Sequence, residues 1–419
     1  MLVPALVLLP LLCASPPERV ELVFGGDIIP HGSVKRAAAD HARRAAGGGA
    51  SLNHEGWDHV LEPIAGVLRA ADLAVVNLET PVSGDAHAQT GSIVFDAPPA
   101  LPQALAAAGV DGVSLANNHA FDQHPAGLQA TWGALQEAGL EWMGAGSSRD
   151  EAWEPRILEA RGMRIGLLSF TRRLNRVLNP AASRGGPQVA FVPYVPRPSA
   201  LTVAEAVERV RAAARCCDAL VVCVHWGVEY SPTPKPEDRA LAHALLEAGA
   251  LAVIGHHPHV LQPIERYRTA SGRDTLVAFS LGNLVANQDW HYSSRSRSPT
   301  GGRKRDSLLL RLSLSRPAPG AAVALEGLEV LPVWIDNERI PGEGSRKSLR
   351  QLQPVLIDEE LRTLPSRLQA LPPPQRREPR PLGQERLSLE RRLELVRRRR
   401  QLIFQRVLPA DTAAAARSL

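Results

Sequence analysis

Two carboxylates, two adjacent amides and five histidines stand where apolar runs of this chain end: Asp27, Glu79, Asn117, Asn118, His119, His225, His256, His257 and His259. Such a mixture of oxygen and imidazole donors binds borderline divalent ions such as Zn, Mn or Fe(II), whereas calcium demands nearly all oxygen. A carboxylate from a second strand can bridge two ions. Two ions about 3.5–4 Å apart clamp the attacking and leaving oxygens of a phosphoryl displacement and make hydroxide available near neutral pH. Taken singly, each motif has an ordinary reading. GGD at 25–27 also fits a turn, NLE at 77–79 a helix start ahead of Pro81, and His225 after ALVVCV a satisfied core histidine. GHHPH at 255–259 is the most specific. Alternate residues of an extended segment point the same way, so His257 and His259 are expected to face one ion and His256 the opposite side.

The elements that must position these side chains are legible as alternation. Apolar runs at 20–27, 73–79, 112–119, 164–170, 219–227, 251–259 and 275–283 are separated by Ala- and Leu-rich stretches with helical spacing. Three of the four clearest stretches end at glycine, a common helix stop. This alternation predicts an α/β domain with substantial parallel pairing. Most runs end in polar clusters, and ligand sites of α/β sheets lie beyond the carboxyl ends of strands, so the clusters are expected to form one shared site. Residues 307–315 and 324–336 read as two further, antiparallel strands completing the sheet, after a Ser/Arg/Gly-rich loop at 289–306.

In order and spacing, GGD, NLETP, NNHAFD, HWGVEY, GHHPHVLQPIE and SLGN over about residues 20–285 resemble the CapA/PgsA family of capsule and poly-γ-glutamate biosynthesis proteins, itself similar to calcineurin-like metallophosphoesterases. The resemblance implies a four-layered α/β/β/α sandwich with a dinuclear site of Mn, Fe or Zn. It makes Asp27 the first-strand ligand and Glu79 the bridging carboxylate. The amide ligand is Asn117 or Asn118, with Asn118 the better match, and His225, His257 and His259 supply the imidazoles. His119 then takes the position of a general acid or transition-state stabiliser, with Asp122 either orienting it or starting a helix. Ile29 departs from the pattern, since a histidine is usual two residues after the first Asp; His31 is the nearest substitute. Trp226 and Tyr230 are expected to shape the pocket wall, Asn283 to cap a strand end beside it, and Arg172 and Arg173 to meet an anionic substrate or solvent.

The functions this implies are a metal-dependent phosphoesterase-like hydrolase in capsule or poly-γ-glutamate synthesis or export, a non-catalytic component that binds or exports an anionic polymer beside other envelope polymer-synthesis proteins, or a metal-dependent γ-glutamyl amide hydrolase or transferase. Composition excludes little else. The 419 residues are 44% hydrophobic and 22% charged, as in a folded protein. Eleven Arg against four Glu between 376 and 406 account for more than the whole net charge of +5, so nucleic-acid binding by the main domain finds no support. Residues 1–17 read as the apolar region of an export signal, too short to span a bilayer, with LLC at 11–13 resembling a lipoprotein cleavage site. Cys216, Cys217 and Cys223 imply no disulfide framework. The metallophosphoesterase-like domain is expected at 18–336 and a Pro/Arg-rich C-terminal extension at 337–419. Within that extension, 388–408 forms a basic amphipathic helix with Leu389, Leu393, Val396, Ile403 and Val407 on one face, suited to packing on the body or to peripheral membrane contact.

Overall fold

The computed structural model describes residues 18–408 apart from 48–52, 86–87, 89, 92, 176, 182–184, 198–199, 293–297, 299–300, 319, 341–348 and 374–379. The expected export segment therefore lies outside the described residues. In chain order the strands are β1 (Glu18–Ile28), β2 (Leu73–Leu78), β3 (Gly112–Ser114), β4 (Glu141–Met143), β5 (Ala145–Gly146), β6 (Arg156–Ala160), β7 (Met163–Thr171) and β8 (Gln188–Val189). They continue with β9 (Ala219–His225), β10 (Ala252–His256), β11 (Ile264–Arg268), β12 (Asp274–Ala278), β13 (Asn283–Val285), β14 (Asp306–Arg316), β15 (Ala324–Ile340) and β16 (Leu349–Leu356). The helices are α1 (Gly32–Gly47), α2 (Trp57–Ala70), α3 (Ala100–Ala108), α4 (His124–Ala138), α5 (Arg149–Ala152), α6 (Val203–Ala214), α7 (Pro236–Glu247), α8 (Ile357–Ala370) and α9 (Arg380–Val407).

Two sheets face each other. The first runs β16-β15-β14-β1-β2-β3-β4, with β13 also paired to β1, and the second runs β11-β12-β10-β9-β7-β6. Their centres are parallel: β1 pairs β2, β2 pairs β3, and β9 lies between β7 and β10. The antiparallel strands β14 and β15 complete the first sheet, as the sequence predicts.

The period-two pattern explains the layering. In β1, Val20, Leu22 and Phe24 enter the core between the sheets, while Val23 and Ile28 face a second core with α1–α4. In β9, Val221 and Cys223 point into the inter-sheet core, while Leu220, Val222 and Val224 pack on α6 and α7 in a third core. Continuous apolar runs are what strands buried on both faces require. Three cores between helix, sheet, sheet and helix make a four-layered α/β/β/α sandwich.

The structure corrects the expected division near residue 336. β15 continues to Ile340, and β16 pairs along it from Val333–Leu356 to Ile340–Leu349. The helices α8 and α9 close the inter-sheet core with Ile357, Leu364, Leu389, Leu395, Val396, Ile403 and Val407. Arg392 and Arg399 of α9 turn to the body, while Arg397 and Arg400 are exposed. Arg399, 0% exposed, donates Nε to Asp306 Oδ1 at 2.6 Å, and Arg392 donates Nε to Glu360 at 2.6 Å and lies 3.0 Å from Asp336.

Candidate metal centre

Asp27 sits at the end of β1, where the pairing with β2 shifts register between Phe24 and Asp27, a bulge that re-aims the side chain. The glycine before it is required by close approach: a Cβ on Gly26 would stand 2.1 Å from the Gly282 carbonyl, which accepts the Asp27 N–H at 3.0 Å. Glu79 follows β2, Asn117–His119 follow β3, His225 ends β9, and His256 ends β10. Both sheets thus deliver their carboxyl ends to one place, as the sequence predicts.

All of these side chains are buried. Asp27 Oδ2 lies 3.0 Å from His259 Nδ1 and accepts the His257 N–H at 3.3 Å. His225 Nε2 meets Asn118 Oδ1 at 2.7 Å. Glu79 Oε1 stands 3.6 Å from His225 Nε2, 3.7 Å from His259 Nε2 and 4.0 Å from His119 Nε2. Two sets of donor atoms lie mutually within 4.8 Å, Asp27 with Glu79 and His225, and Glu79 with His257 and His259. Glu79 belongs to both.

The two amides part company. Asn117 is spent on backbone, donating to the Leu78 carbonyl at 2.8 Å and accepting the His119 N–H at 3.1 Å. Asn118 turns its oxygen to His225. His256 leaves the centre, its Nε2 lying 3.2 Å from the Gly25 carbonyl. His257 and His259 converge for a reason other than an extended backbone. Their φ values are 96° and 56°, so a left-handed turn aims both rings inward. Such conformations cost of order 1–3 kcal/mol each in non-glycine residues and cluster at functional sites.

Other residues take unexpected places. Trp226 is packed on Phe279 in the outer core, donating Nε1 to its carbonyl at 3.0 Å, and forms no pocket wall; Tyr230 does line the cleft. Arg172 is buried, bonded to the Val192 carbonyl at 2.9 Å and 3.6 Å from Asp238, while Arg173 is exposed. Asn283 donates to the His259 carbonyl at 3.3 Å and to the Lys304 carbonyl at 2.9 Å. His31 lines the cleft but joins neither donor set, and its Nδ1 faces the Asn287 N–H at 3.3 Å. One residue escaped the sequence reading. Asn77, hidden inside the NLE motif on β2, donates to Asp27 Oδ1 at 2.7 Å. An amide at the penultimate position of a buried apolar strand was the available signal.

Burial governs the electrostatics. It pushes the Glu79 carboxyl well above its ordinary range, reinforced by the charges of Asp27, Glu229 and Asp122. Burial also raises Asp27, but the His259 hydrogen bond and charge, His256 and the Asn77 amide together bring it below its usual value. Burial and neighbouring imidazoles hold His225 far down and His257 at about 3, so both rings are neutral with lone pairs available. Glu79 Oε1 and His257 Nδ1 are buried with no hydrogen-bond partner. A buried carboxylate oxygen and imidazole nitrogen without partners are costly unless a cation meets them. The donor set therefore fits one or two borderline divalent ions.

His119 borders this centre on the open side. Its Nδ1 lies 2.7 Å from Asp122 Oδ2, which also accepts the Phe95 N–H at 2.7 Å. The cleft above, about 480 Å³, is lined by His31, Phe95, His119, Glu229, Tyr230 and His259 among others.

A four-layered sandwich with carboxylates, an amide and imidazoles converging at its strand ends defines a candidate metal-centre protein. This chain belongs to the family described as bacterial capsule synthesis protein PGA_cap, whose model matches residues 21–288. A PGA biosynthesis protein CapA of Bacillus subtilis (strain 168) is 30% identical over 307 residues, 71% of this chain and 70% of that protein. A capsule biosynthesis protein CapA of Bacillus anthracis is 30% identical over 277 residues, 65% of this chain and 61% of that protein. A solved structure titled a novel phosphatase from Mycoplasma pneumoniae is 15% identical, with a TM-score of 0.38 over 76% of this chain and 94% of that one. No helix among the described residues is long and apolar enough to cross a membrane.

Proposed function

We propose that this chain is a metal-dependent, phosphoesterase-like hydrolase acting in capsule or poly-γ-glutamate synthesis or export at the cell envelope. The observation that carries the reading is Glu79: one buried carboxylate shared by two donor sets, with an oxygen that no protein group satisfies. Asp27, Glu79, Asn118, His225, His257 and His259 are the residues that would hold the metal. When bound, divalent ions would supply Lewis-acid polarisation of the phosphoryl group and a water acidic enough to give hydroxide near neutral pH.

The chain's own groups do the rest. Asp122, 2.7 Å from His119 Nδ1, fixes that ring's orientation and places a proton on Nδ1. His119 Nε2, 4.0 Å from Glu79 Oε1, then holds the proton that passes to the leaving oxygen as its bond to phosphorus breaks. One water is consumed and an alcohol and a phosphate are released. The buried wall of β1, β2, β9 and β10 excludes bulk water from the floor of the cleft.

Elemental analysis should find one or two transition-metal ions per chain. Phenyl phosphate should be hydrolysed by the wild type, with at least a 10²-fold loss in Asp27→Asn and His119→Ala. A folded, metal-free protein whose wild type and variants are equally inert, but which binds a polyanion, would sink this reading.

A further inference from the structure

His31 is the cleft-lining histidine that the metal centre leaves unused. Its backbone shapes the entry to α1: the carbonyl accepts from Val34 at 2.8 Å and from Lys35 at 3.1 Å, and the N–H donates to the Ile29 carbonyl at 2.8 Å. Its ring lines the cleft together with Phe95, His119 and His259. It meets the Phe95 ring edge-on, with centroids 5.4 Å apart at 69°, and His119 lies against the same ring at 4.4 Å. Phe95 therefore spaces two imidazoles along the cleft.

The tautomer of His31 is set by backbone. Asn287 aims its N–H at Nδ1, 3.3 Å away. A backbone N–H can only donate, so Nδ1 presents its lone pair and the ring proton resides on Nε2. Asn287 is itself anchored. Its side chain donates to the Ser33 hydroxyl and accepts from Asn337 Nδ2 at 2.6 Å, which ties it to α1 and to β15. A ring held in this way has no lone pair to offer a cation: that of Nδ1 is taken, and a proton occupies Nε2. What remains is a hydrogen-bond donor in the lining of the cleft.

Phosphoryl transfer spreads charge over the non-bridging oxygens, and preorganised donors aimed at that charge lower the barrier. We infer that His31 is a further catalytic residue, whose Nε2–H donates to a non-bridging oxygen of the phosphate while His119 serves the leaving oxygen. This rests on the hydrolase reading of the adjoining centre and adds a substrate-holding group to it.

Three variants separate hydrogen bonding from packing and from metal binding. His31→Phe keeps an aromatic ring beside Phe95 but removes the donor, His31→Ala removes both, and His31→Gln retains an N–H donor. In the metal-loaded full chain, His31→Phe and His31→Ala should each lower kcat/KM for phenyl phosphate about tenfold or more. Inhibition by inorganic phosphate should weaken to a similar degree, with metal content by elemental analysis equal to that of the wild type. His31→Gln should recover part of both losses. Thermal melts identify any variant that fails to fold. Wild-type turnover and phosphate inhibition in folded His31→Phe or His31→Ala overturn the inference. So does loss of a metal ion from either, which would make the ring a ligand. A wild type inert toward phenyl phosphate that still binds inorganic phosphate by calorimetry, more tightly than His31→Phe does, counts against the hydrolase reading alone. A metal-loaded wild type that binds no phosphate overturns both.

Discussion

Asp122 accepts two hydrogen bonds through one oxygen, from the Phe95 backbone and from the ring of His119. Such a carboxylate sets the tautomer of its partner without touching a substrate. Asp122→Asn keeps the shape but offers an amide in place of the acceptor, so His119 loses its preferred proton position. Turnover should fall about 10²-fold or more while bound metal stays at the wild-type level. Steady-state rates alongside elemental analysis check this, and parallel loss of metal would show that Asp122 supports the centre itself. At this same scale the sequence was most informative. Asp27, Glu79, Asn118, His119, His225, His257 and His259 all converge, but Asn77 is added, Trp226 is removed, and the His257–His259 pair is aimed by positive φ.

At the scale of elements, the arginine-rich C-terminal helix behaves as a closing element of the core. Arg399 is fully buried and its charge meets Asp306 on β14. Burial raises the Asp306 carboxyl to about 6 even beside that guanidinium, so the ion pair itself is no large source of stability. Removing one partner is another matter, because it strands a buried charge. Arg399→Ala should destabilise the protein by about 3–5 kcal/mol, and adding Asp306→Ala should recover part of the loss. Denaturant unfolding of the single and double variants measures both, and a double variant worse than Arg399→Ala would refute the stranded charge. The sequence placed this helix at 388–408, whereas it begins at Arg380, and of its expected apolar face Leu389, Val396, Ile403 and Val407 are buried while Leu393 is half-buried. It could not show that acids on β14, β15 and α8 receive the arginines.

For the whole molecule, two carboxylates and four histidines are drawn into one buried place by strands from two sheets. Ordering these donors without a cation leaves Glu79 and His257 unsatisfied, so a bound ion should stabilise the fold by linkage. At a free metal concentration of about 100 times Kd, the gain for a single site is about 2.7 kcal/mol. Melting temperature should rise on adding Mn or Zn to chelator-treated protein and fall again with excess chelator. An unchanged melt with metal in excess would mean that the donors are not a metal site.

By itself the sequence placed the apolar runs and the polar clusters beyond them, because buried parallel strands need continuous apolar runs, although β3 stops at Ser114 and the run at 275–283 divides between β12 and β13. It likewise determined the α/β class and the set of donor types. Only the tertiary structure decided which donors share Glu79, since that depends on the facing of two sheets whose site residues lie up to 232 positions apart. It alone showed that β15, β16, α8 and α9 belong to the body, because charge and proline content describe a segment's composition and not the acids and apolar surface waiting for it.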